Sequence, residues 1–338
     1  MQLKLDIYPT GFNKNHTKRN DTKIVSLRTL DLFSGIGGVR LGFEKNGFET
    51  VFSNDFEPSC KLTSDLNFDE PTLTLGDLTK INVDTFPEFD LLLGGFPCQA
   101  FSVAGYRQGF NDEKGRGNLF FNIARILEKR MPPAFFLENV KNLQGHDNGR
   151  TFIIILQTLK ELGYHVRHAV LNTMKYGNLP QNRERIYIVG FQDESSALKF
   201  EFPEPKKLQI QFSSLLDKEI PDRYYYLGKP LHARLVNDVK SRDTVYQWRR
   251  QYVRENKQGV CPTLTANMGT GGHNVPIILD SKGIRKLTPR ECARMQGFPD
   301  SYKFANISDA LIYKQVGNSV SVPVIDAIAK QIKIALEK

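Results

Sequence analysis

The stretch Gly-Gly-Phe-Pro-Cys-Gln-Ala-Phe-Ser-Val-Ala-Gly, residues 94–105, decides how this chain of 338 residues is interpreted. An apolar run, Phe89–Leu93, precedes it and is typical of a buried strand. Two glycines then allow a turn, and a proline with a fixed backbone angle presents Cys98 at the end of the strand. A thiol held in this way is a candidate nucleophile, and the alternative is a buried structural cysteine.

A second apolar run, Phe135–Val140, supports the functional interpretation of Cys98 because it carries a carboxylate. Its sequence predicts another buried strand, and Glu138 lies near the end of that strand. A cysteine and a glutamate at adjacent strand ends of one sheet can face a single substrate. The pair therefore predicts a catalytic centre that contains Cys98 and Glu138.

Strands and helices alternate from Arg28 onward, which predicts a parallel sheet covered by helices on both faces. In such sheets, ligands bind beyond the carboxyl ends of the strands. The strands are predicted at residues 28–33, 48–53, 72–75, 89–93, 134–137, 165–172 and 185–191, and the helices at 38–46, 118–129, 151–162 and 325–336. The functional candidates at the strand ends are Gly35, Asp55, Asp77, Cys98 and Glu138.

The chain divides by composition into a large catalytic and cofactor-binding part and a smaller part. The large part is predicted at residues 1–192, and its first residues, about 1–27, form a polar, basic leader. Residues 193–285 lose the strand–helix rhythm and are rich in Pro, Gly, Tyr and basic side chains, which predicts a smaller irregular domain. Residues 286–312 are interpreted as a hinge, and residues 313–338 as a segment that returns to the large domain.

The composition is that of a globular protein, with 40% hydrophobic and 25% charged residues. No apolar run is long enough to predict a membrane span, and the first residues do not predict a signal peptide. The four cysteines are scattered without a Cys-x-x-Cys pair, which disfavours disulfides and zinc and favours a reducing cytoplasm. The net charge of +9 favours a polyanionic partner, and generic solubility is the alternative.

Six short motifs resemble those of the cytosine-C5 DNA methyltransferases, in the order of that family and across nearly the whole chain. The resemblance implies an α/β fold, with a Rossmann-like S-adenosylmethionine-dependent methyltransferase sheet that has helices on both faces and a smaller irregular target-recognition domain. The chain resembles the short bacterial members that partner a restriction enzyme. The motifs are Asp31–Gly38, Pro97–Gln99, Glu138–Val140, Gln181–Arg185, Arg290–Arg294 and Gly317–Ser319.

The resemblance implies S-adenosyl-L-methionine as cofactor, S-adenosyl-L-homocysteine as product, and no metal. Glycines between the first strand and helix let the backbone approach a ligand closely. Asp55 is placed to accept from ribose hydroxyls and Asp77 from an adenine amino group, and structural roles are the alternative. The resemblance places Phe33 near the sulfonium and Phe56 against the adenine. The predicted cofactor contacts are Phe33, Ser34, Gly35, Gly37, Gly38, Asp55, Phe56, Asp77, Leu78, Pro97, Asn318 and Ser319.

The chemistry that the resemblance implies is addition of the Cys98 thiolate to C6 of cytosine, which makes C5 able to take a methyl group. Glu138 would hold or protonate N3, and Arg185 would hold O2, where negative charge builds up. For Arg185 the alternative is a surface ion pair, which is the commoner role of an arginine at a strand start. The resemblance puts both Arg183 and Arg185 near the site. Because a base inside a duplex is out of reach, the nucleotide is expected to flip out, with residues 104–117 closing as a lid or forming a plain loop.

The residues expected to read DNA lie mainly in the smaller domain. Between Lys229 and Lys257 there are eight Lys or Arg and three Asp or Glu, with Tyr246, Trp248 and Tyr252 interleaved. This pattern suits phosphate and base contacts, and a solvated helix face is the alternative. The glycine-rich stretch Cys261–His273 resembles the recognition loop of the family. The predicted DNA contacts are Gln99, Ser102, Arg107, Arg249, Arg250, Thr263, Leu264, Thr265, Gly271 and Gly272.

These observations predict a sequence-specific DNA (cytosine-5-)methyltransferase that protects DNA in a restriction–modification system. It is expected to act as a monomer on double-stranded DNA in the bacterial cytoplasm, close to the nucleoid and away from membranes. A restriction endonuclease would act on the same site without a stable complex. The alternatives are an RNA methyltransferase, a catalytically inactive DNA-binding homologue, and a nicotinamide oxidoreductase. The last is disfavoured because Arg40 stands where the dinucleotide fingerprint has a glycine.

Overall fold

A seven-stranded sheet forms the centre of the molecule. The structure is a computed structural model that describes residues 26–97, 119–249, 251–256, 259–270 and 274–337. The sheet has the strand order β3-β2-β1-β4-β5-β8-β6, and β7 lies outside it. The first eight strands are β1 (Arg28–Leu32), β2 (Glu49–Asp55), β3 (Thr74–Leu75), β4 (Leu91–Gly94), β5 (Ala134–Val140), β6 (His165–Asn172), β7 (Gln181–Asn182) and β8 (Glu184–Phe191).

The sheet is mixed, so the prediction of an entirely parallel sheet is wrong at one edge. Strands β1 to β5 pair in parallel, but β8 runs antiparallel to both β5 and β6. Only residues 173–183 connect β6 to β8. A parallel crossover needs a dozen or more residues and usually a full helix. The short connection therefore returns the chain in the opposite direction.

Helices cover both faces of the sheet, as predicted. On one face, α1 (Gly38–Glu44) and α10 (Val322–Leu336) pack in a core with Leu91, Leu93 and Phe136. On the other face, α3 (Leu119–Arg130) and α4 (Arg150–Glu161) pack in a core with Leu30 and Leu32. Because both faces are buried, β4 and most of β5 are continuous apolar runs.

The smaller unit contains a four-stranded antiparallel sheet, so it is less irregular than predicted. The sheet has the order β10-β9-β12-β13 and a core that includes Tyr246 and Trp248. Strands of three or four residues carry too little alternation to be recognised in a sequence. The strands are β9 (Val245–Trp248), β10 (Val253–Asn256), β12 (Ile277–Leu279) and β13 (Ile284–Lys286).

The large unit extends beyond the predicted boundary at residue 192. Helix α6 (Glu194–Lys199) and Phe200 pack in the same core as α1 and α10. Within the described ranges, no helix is long and apolar enough to cross a bilayer. The other helices and strand are α2 (Pro58–Ser64), α5 (Thr173–Tyr176), α7 (His232–Asp238), β11 (Cys261–Pro262), α8 (Pro289–Met295) and α9 (Asp309–Asn318). Short 3-10 helices span Leu78–Lys80, Val83–Thr85, Lys141–Gly149, Phe212–Leu215, Asp222–Tyr224 and Ala266–Gly269.

The chain returns to the large unit through α9 and α10. Helix α10 packs against α1, where Asp326 accepts hydrogen bonds from Lys45 and from the side chain of Asn46. The segment between α9 and α10 lies against the loop that precedes α1, because a Cβ on Gly38 would come 2.5 Å from Ser319 Oγ. Residues distant in sequence thus meet beyond the ends of β1 and β2.

Candidate active site

The loop between β1 and α1 is fixed by Asp55. The Gly35 N–H donates to Asp55 Oδ2 over 2.8 Å, and the Glu57 N–H donates to Oδ1 over 2.9 Å. Burial raises the pKa of Asp55 above its ordinary value. Gly35 has a φ of +54°, and a Cβ there would meet no atom within 4 Å. The loop therefore borders open space, and Asp55 both shapes the loop and keeps oxygen lone pairs for a ligand.

The ends of β2 and β3 bring Asp77 to the same region. Asn54 Nδ2 donates to the carbonyls of Thr74 and Gly76 over 2.9 and 3.1 Å, which holds the turn before Asp77 against β2. Hydrogen bonds from Thr79 lower the pKa of Asp77, so its exposed side chain is an ionised acceptor. Phe56 is 71% exposed and leaves an aromatic ring available for stacking.

The other predicted cofactor residues differ in exposure. Phe33 is half-buried with a positive φ of 54°, a strained conformation for a phenylalanine and common at ligand sites. Pro97 and Asn318 are exposed, and Ser319 is partly exposed. Leu78 is buried in the core, which leaves only its backbone for a cofactor contact. Phe33, Pro97, Asn318 and Ser319 therefore keep accessible surface for a ligand.

Arg40 has a structural role that the sequence does not reveal. Its guanidinium donates to the carbonyls of Glu70 and Pro71, each over 2.8 Å, and to Glu44 over 2.6 Å. It also stacks on Phe68, 4.2 Å from the ring centroid. The residue that replaces the glycine of the dinucleotide fingerprint thus ties α1 to the segment before β3.

Glu138 and Arg185 meet on the neighbouring strands β5 and β8. Arg185 Nε lies 3.1 Å from Glu138 Oε1, and the two side chains are 13% and 11% exposed. This contact is a buried ion pair, unlike the surface pair considered above. The N–H does not point at the oxygen, so Glu138 Oε1 is buried without a hydrogen-bond donor among the described residues. A buried carboxylate oxygen without a donor is costly and is ready to accept one from a ligand.

The carboxylate of Glu138 lies beside the segment that leads to the predicted nucleophile. A Cβ on Gly95 would lie 3.9 Å from Glu138 Oε2. Asn139 Nδ2 donates to the Phe96 carbonyl over 2.9 Å, which ties the end of β5 to the residues after β4. Cys98 itself lies outside the described residues, as do Gln99, Ser102, Arg107, Arg250, Gly271, Gly272 and the predicted lid at residues 104–117.

Arg183 lies close to this pair but is turned away from open space. It is fully buried, with Nη1 donating to the Leu264 carbonyl over 2.7 Å and Nη2 to the Ser319 carbonyl over 2.5 Å. Burial and the nearby Arg185 lower its pKa to about 9. The prediction put Arg183 in the catalytic group, whereas here two of its nitrogens bind backbone carbonyls.

The predicted DNA-reading residues form two surface features of the smaller unit. Arg249 lies in the turn between β9 and β10, where its N–H donates to the Tyr252 carbonyl over 2.9 Å. Strands β9 and β10 of the basic stretch thus form a hairpin, whereas α7 (His232–Asp238) of the same stretch is a helix with Leu235 as its buried residue, in line with the alternative. Thr263 and Thr265 are accessible, but the Leu264 side chain is buried in the core, which differs from the prediction that it contacts DNA.

Asp31 lies between Leu30 and Leu32 on β1 and was not among the predicted site residues. It is fully buried, and neither carboxylate oxygen has a hydrogen-bond partner in the described part of the chain. Burial raises its pKa to about 8, against a smaller opposing effect of Arg40. In the sequence, the only sign of this buried carboxylate is an acidic residue between two leucines of a predicted strand.

Asp31→Asn is expected to change how stability depends on pH. Because the folded-state pKa of about 8 lies above the ordinary value of 3.8, the folded state keeps a proton that the unfolded state loses between these values. The wild-type free energy of unfolding therefore falls as pH rises through this window. Denaturant titrations at pH 5 and pH 8 should show the variant gaining stability relative to wild type at the higher pH. If the free energies of unfolding of wild type and Asp31→Asn differ by the same amount at both pH values, the prediction is contradicted.

No cluster of His, Cys, Asp or Glu suited to a metal ion occurs within the described ranges. The sheet with helices on both faces and a glycine loop after β1 is the fold of a Rossmann-like methyltransferase. The chain matches the family model for C-5 cytosine-specific DNA methylase over residues 27–334, and it belongs to that family.

Several bacterial proteins are similar to this chain over most of its length. It is 50% identical over 311 residues to the type II methyltransferase M.Bsp6I of Bacillus sp. (strain RFL6), covering 90% of this chain and 98% of that protein. It is 39% identical over 329 residues to M.HhaI of Haemophilus parahaemolyticus, covering 94% and 97%. Among solved structures, a DNMT2 mutant of Spodoptera frugiperda has a TM-score of 0.70 at 22% identity, covering 92% of this chain and 100% of that chain. That last likeness supports the fold.

Proposed function

We propose that this enzyme modifies one short DNA sequence by transferring a methyl group to C5 of a flipped-out cytosine, through a covalent bond between Cys98 and C6. The buried Glu138 oxygen without a donor is the observation that carries the proposal. It lies beside Arg185 and beside the Gly95–Pro97 segment that leads to Cys98. A cytosine presents a 4-amino group that donates to this carboxylate oxygen, a ring nitrogen N3 that can take a proton from the carboxyl, and a carbonyl oxygen O2 that accepts from this guanidinium.

The residues of the chain have separate tasks in this reaction. The Cys98 thiolate attacks C6, and the new S–C6 bond turns C5 into an enamine-like carbon. Glu138 holds N3 and can share a proton with it, while Arg185 stabilises the negative charge that develops on O2. When bound, S-adenosylmethionine supplies an electrophilic methyl group for C5. Loss of the C5 proton then expels the Cys98 thiolate and restores the aromatic ring.

The described residues fit S-adenosylmethionine. The exposed Phe56 ring offers a stacking surface for adenine, and the ionised Asp77 accepts from its amino group. Asp55 accepts from the ribose hydroxyls, and the open side of Gly35 leaves room for the methionine part. Asn318 and Ser319 close this region from the other side. We propose no metal in this reaction.

We infer that double-stranded DNA binds along the hairpin turn at Arg249 and the loop Thr263–Thr270. The target base would reach Glu138 by rotating out of the helix, with residues 104–117 closing over it. The relatives are named as type II methyltransferases, which supports a role in protecting DNA from a restriction endonuclease that recognises the same site. We propose that the enzyme works as a cytoplasmic monomer near the nucleoid without a stable complex with that endonuclease.

Expression in a bacterium that lacks DNA methylation tests the proposal. Sequencing that detects 5-methylcytosine should find it at one cytosine of one short sequence throughout the host DNA. Methylation found only in RNA would support the RNA alternative instead. A folded protein that leaves both nucleic acids unmethylated would support the inactive DNA-binding homologue.

Replacing Arg249 and Arg250 together by alanine is expected to weaken DNA binding. Each lost phosphate contact should flatten the log–log dependence of affinity on salt by about one unit. Affinity for S-adenosylhomocysteine should not change, because the donor region lies in the large unit. Titrations of duplex DNA at several salt concentrations measure the slope, and an unaltered slope would mean that the hairpin turn faces solvent in the complex.

A further inference from the structure

The part of the recognition loop that the proposal uses, Thr263–Thr270, is fastened by its backbone to Gln181 of β7 and to Arg183, which lies between β7 and β8. The Leu264 N–H donates to Gln181 Oε1 over 3.2 Å, and the Leu264 carbonyl accepts from Arg183 Nη1 over 2.7 Å. The Leu264 side chain is 1% exposed and anchors the loop in the core. The side chains of Gln181 and Arg183 thus hold both polar backbone groups of Leu264. The neighbours Thr263 and Thr265 remain accessible.

The guanidinium of Arg183 also holds the motif Gly317–Ser319, which we propose borders the methyl donor. Arg183 Nη2 donates to the carbonyl of Ser319, 136 positions further along the chain. Gln296 Nε2 reaches the carbonyls of Val316 and Ser319 over 3.0 and 3.4 Å, and Gln181 Nε2 donates to Gln296 Oε1 over 3.0 Å. Side chains of one short segment therefore connect the recognition loop to the motif that borders the glycine loop.

The loop and the cofactor motif are also in direct contact. A Cβ on Gly317 would lie 2.2 Å from the carbonyl atoms of Thr265, and a Cβ on Gly269 would lie 2.5 Å from the Ala310 carbonyl. Backbone packed this tightly cannot shift on one side without displacing the other. Glycine is required at these two positions because any side chain would push the recognition loop away from α9.

We propose that Arg183 is a positioning residue that couples methyl-donor binding to target recognition, by holding the Thr263–Thr270 loop and the Gly317–Ser319 motif on one guanidinium. The inference rests on the proposed function, in which the motif binds the donor and the loop reads DNA. Arg183 is buried, and a buried cation that loses an acceptor is strongly disfavoured. Donor binding that fixes Ser319 therefore also favours the loop arrangement that reads DNA.

Arginine is suited to this role because its planar fork presents donors to two carbonyls at once. Lysine keeps the positive charge but has a single nitrogen and cannot reproduce both contacts in the same geometry. Arg183→Lys should therefore uncouple methyl-donor binding from target recognition while it keeps the positive charge. The neighbouring Asn182 provides a matched control, because its exposed side chain accepts a hydrogen bond from Asn172. Its contact with the loop, a hydrogen bond from Thr263 Oγ1 over 2.7 Å, is made by its backbone carbonyl, which Asn182→Ala keeps.

The affinity of the full chain for S-adenosylhomocysteine should be measured by calorimetry alone and with an excess of duplex. The duplex carries the target mapped by sequencing, and a scrambled duplex serves as reference. Wild type and Asn182→Ala should bind the probe about 5- to 150-fold more tightly with the target duplex, the usual range for linked sites. In Arg183→Lys this ratio should fall below about twofold, with the KM for both substrates raised more than kcat is lowered.

Two further measurements keep the test decisive if Arg183→Lys does not fold. Gly317→Ala forces the loop off the motif while Arg183 remains, and it should also lose the coupling. In wild type, S-adenosylhomocysteine should slow hydrogen exchange of the backbone in residues 261–269, which lie outside the donor region. Coupling retained in a folded Arg183→Lys, or unchanged exchange in this loop, overturns the inference. A wild-type enzyme that methylates no DNA would instead refute the proposed function.

Discussion

Cys98→Ser is expected to lower the rate of methyl transfer by roughly 10⁴- to 10⁶-fold, the scale seen when an enzyme loses its nucleophile. A serine hydroxyl is deprotonated far less readily than a thiol, so little of it is in the nucleophilic form. Transfer of labelled methyl groups to the mapped target measures the loss. Sequence-specific DNA binding should survive, because the recognition loop and hairpin are untouched. Full activity in this variant would remove Cys98 from the mechanism.

DNA with 5-fluorocytosine at the target should trap the wild-type enzyme covalently. Cys98 adds to C6 and the methyl group is transferred to C5, after which release requires loss of the atom already on C5. Hydrogen leaves as a proton, but fluorine cannot leave as a cation. The adduct should survive denaturing electrophoresis and map to the peptide that holds Cys98.

The covalent trap has three controls. It should need S-adenosylmethionine to become irreversible, and it should be absent with Cys98→Ala and with a scrambled target. An enzyme that methylates ordinary DNA but forms no adduct would show that thiolate addition is not its mechanism.

Glu291→Ala is expected to reduce the free energy of unfolding by about 3–5 kcal/mol, the usual effect of breaking a buried ion pair. Arg285 donates to both Glu291 oxygens over 2.8 and 2.9 Å, with side-chain exposures of 1% and 0%. Glu291 also accepts from the backbone of Asp217 and Thr288 over 2.9 and 2.7 Å. Removing the carboxylate leaves a buried guanidinium with Asp280 as its remaining carboxylate partner among the described residues. Urea denaturation measures the change.

The exposed pair Lys129–Asp84 is the matched control for this prediction. Its side chains are 48% and 60% exposed, so Asp84→Ala should change stability by less than about 1 kcal/mol. Replacing Arg285 and Glu291 together by methionine should cost less than Glu291→Ala, because no charge of the pair is then left unpaired. Equal losses for Glu291→Ala and Asp84→Ala would mean that the buried pair contributes no more than a surface one.

The elements with strong local signals were predictable from the sequence. Strand β6 was predicted with its observed limits, His165–Asn172. Helix α10 begins at Val322, earlier than the predicted Ile325, because Pro323 fits the first turn, where an N–H has no partner within the helix. The direction of β8 was not predictable from periodicity, since a strand has the same pattern in either direction. It follows from the length of the connection before it.

The site was predictable as a set of residue types at strand ends, but not as a set of contacts. Glu138 and Arg185 meet because β5 and β8 are neighbouring strands of one sheet, which the positions of the two residues near strand ends suggested. The contacts of Arg183 with Leu264 and Ser319 join residues that are 81 and 136 positions apart in the sequence. No local sequence pattern predicts contacts between residues so far apart. The burial of Leu264 likewise depends on packing between distant segments, although its neighbours Thr263 and Thr265 are accessible.

The contact of Gly38 with Ser319 and the packing of α1 on α10 have a consequence during protein synthesis. A ribosome delivers the glycine loop, Asp55 and Asp77 long before it delivers the segment between α9 and α10. A nascent or prematurely terminated chain that lacks this segment would carry half of the proposed donor site, and we expect it not to modify DNA. Translation products that stop before α9 should therefore be inert toward the genome.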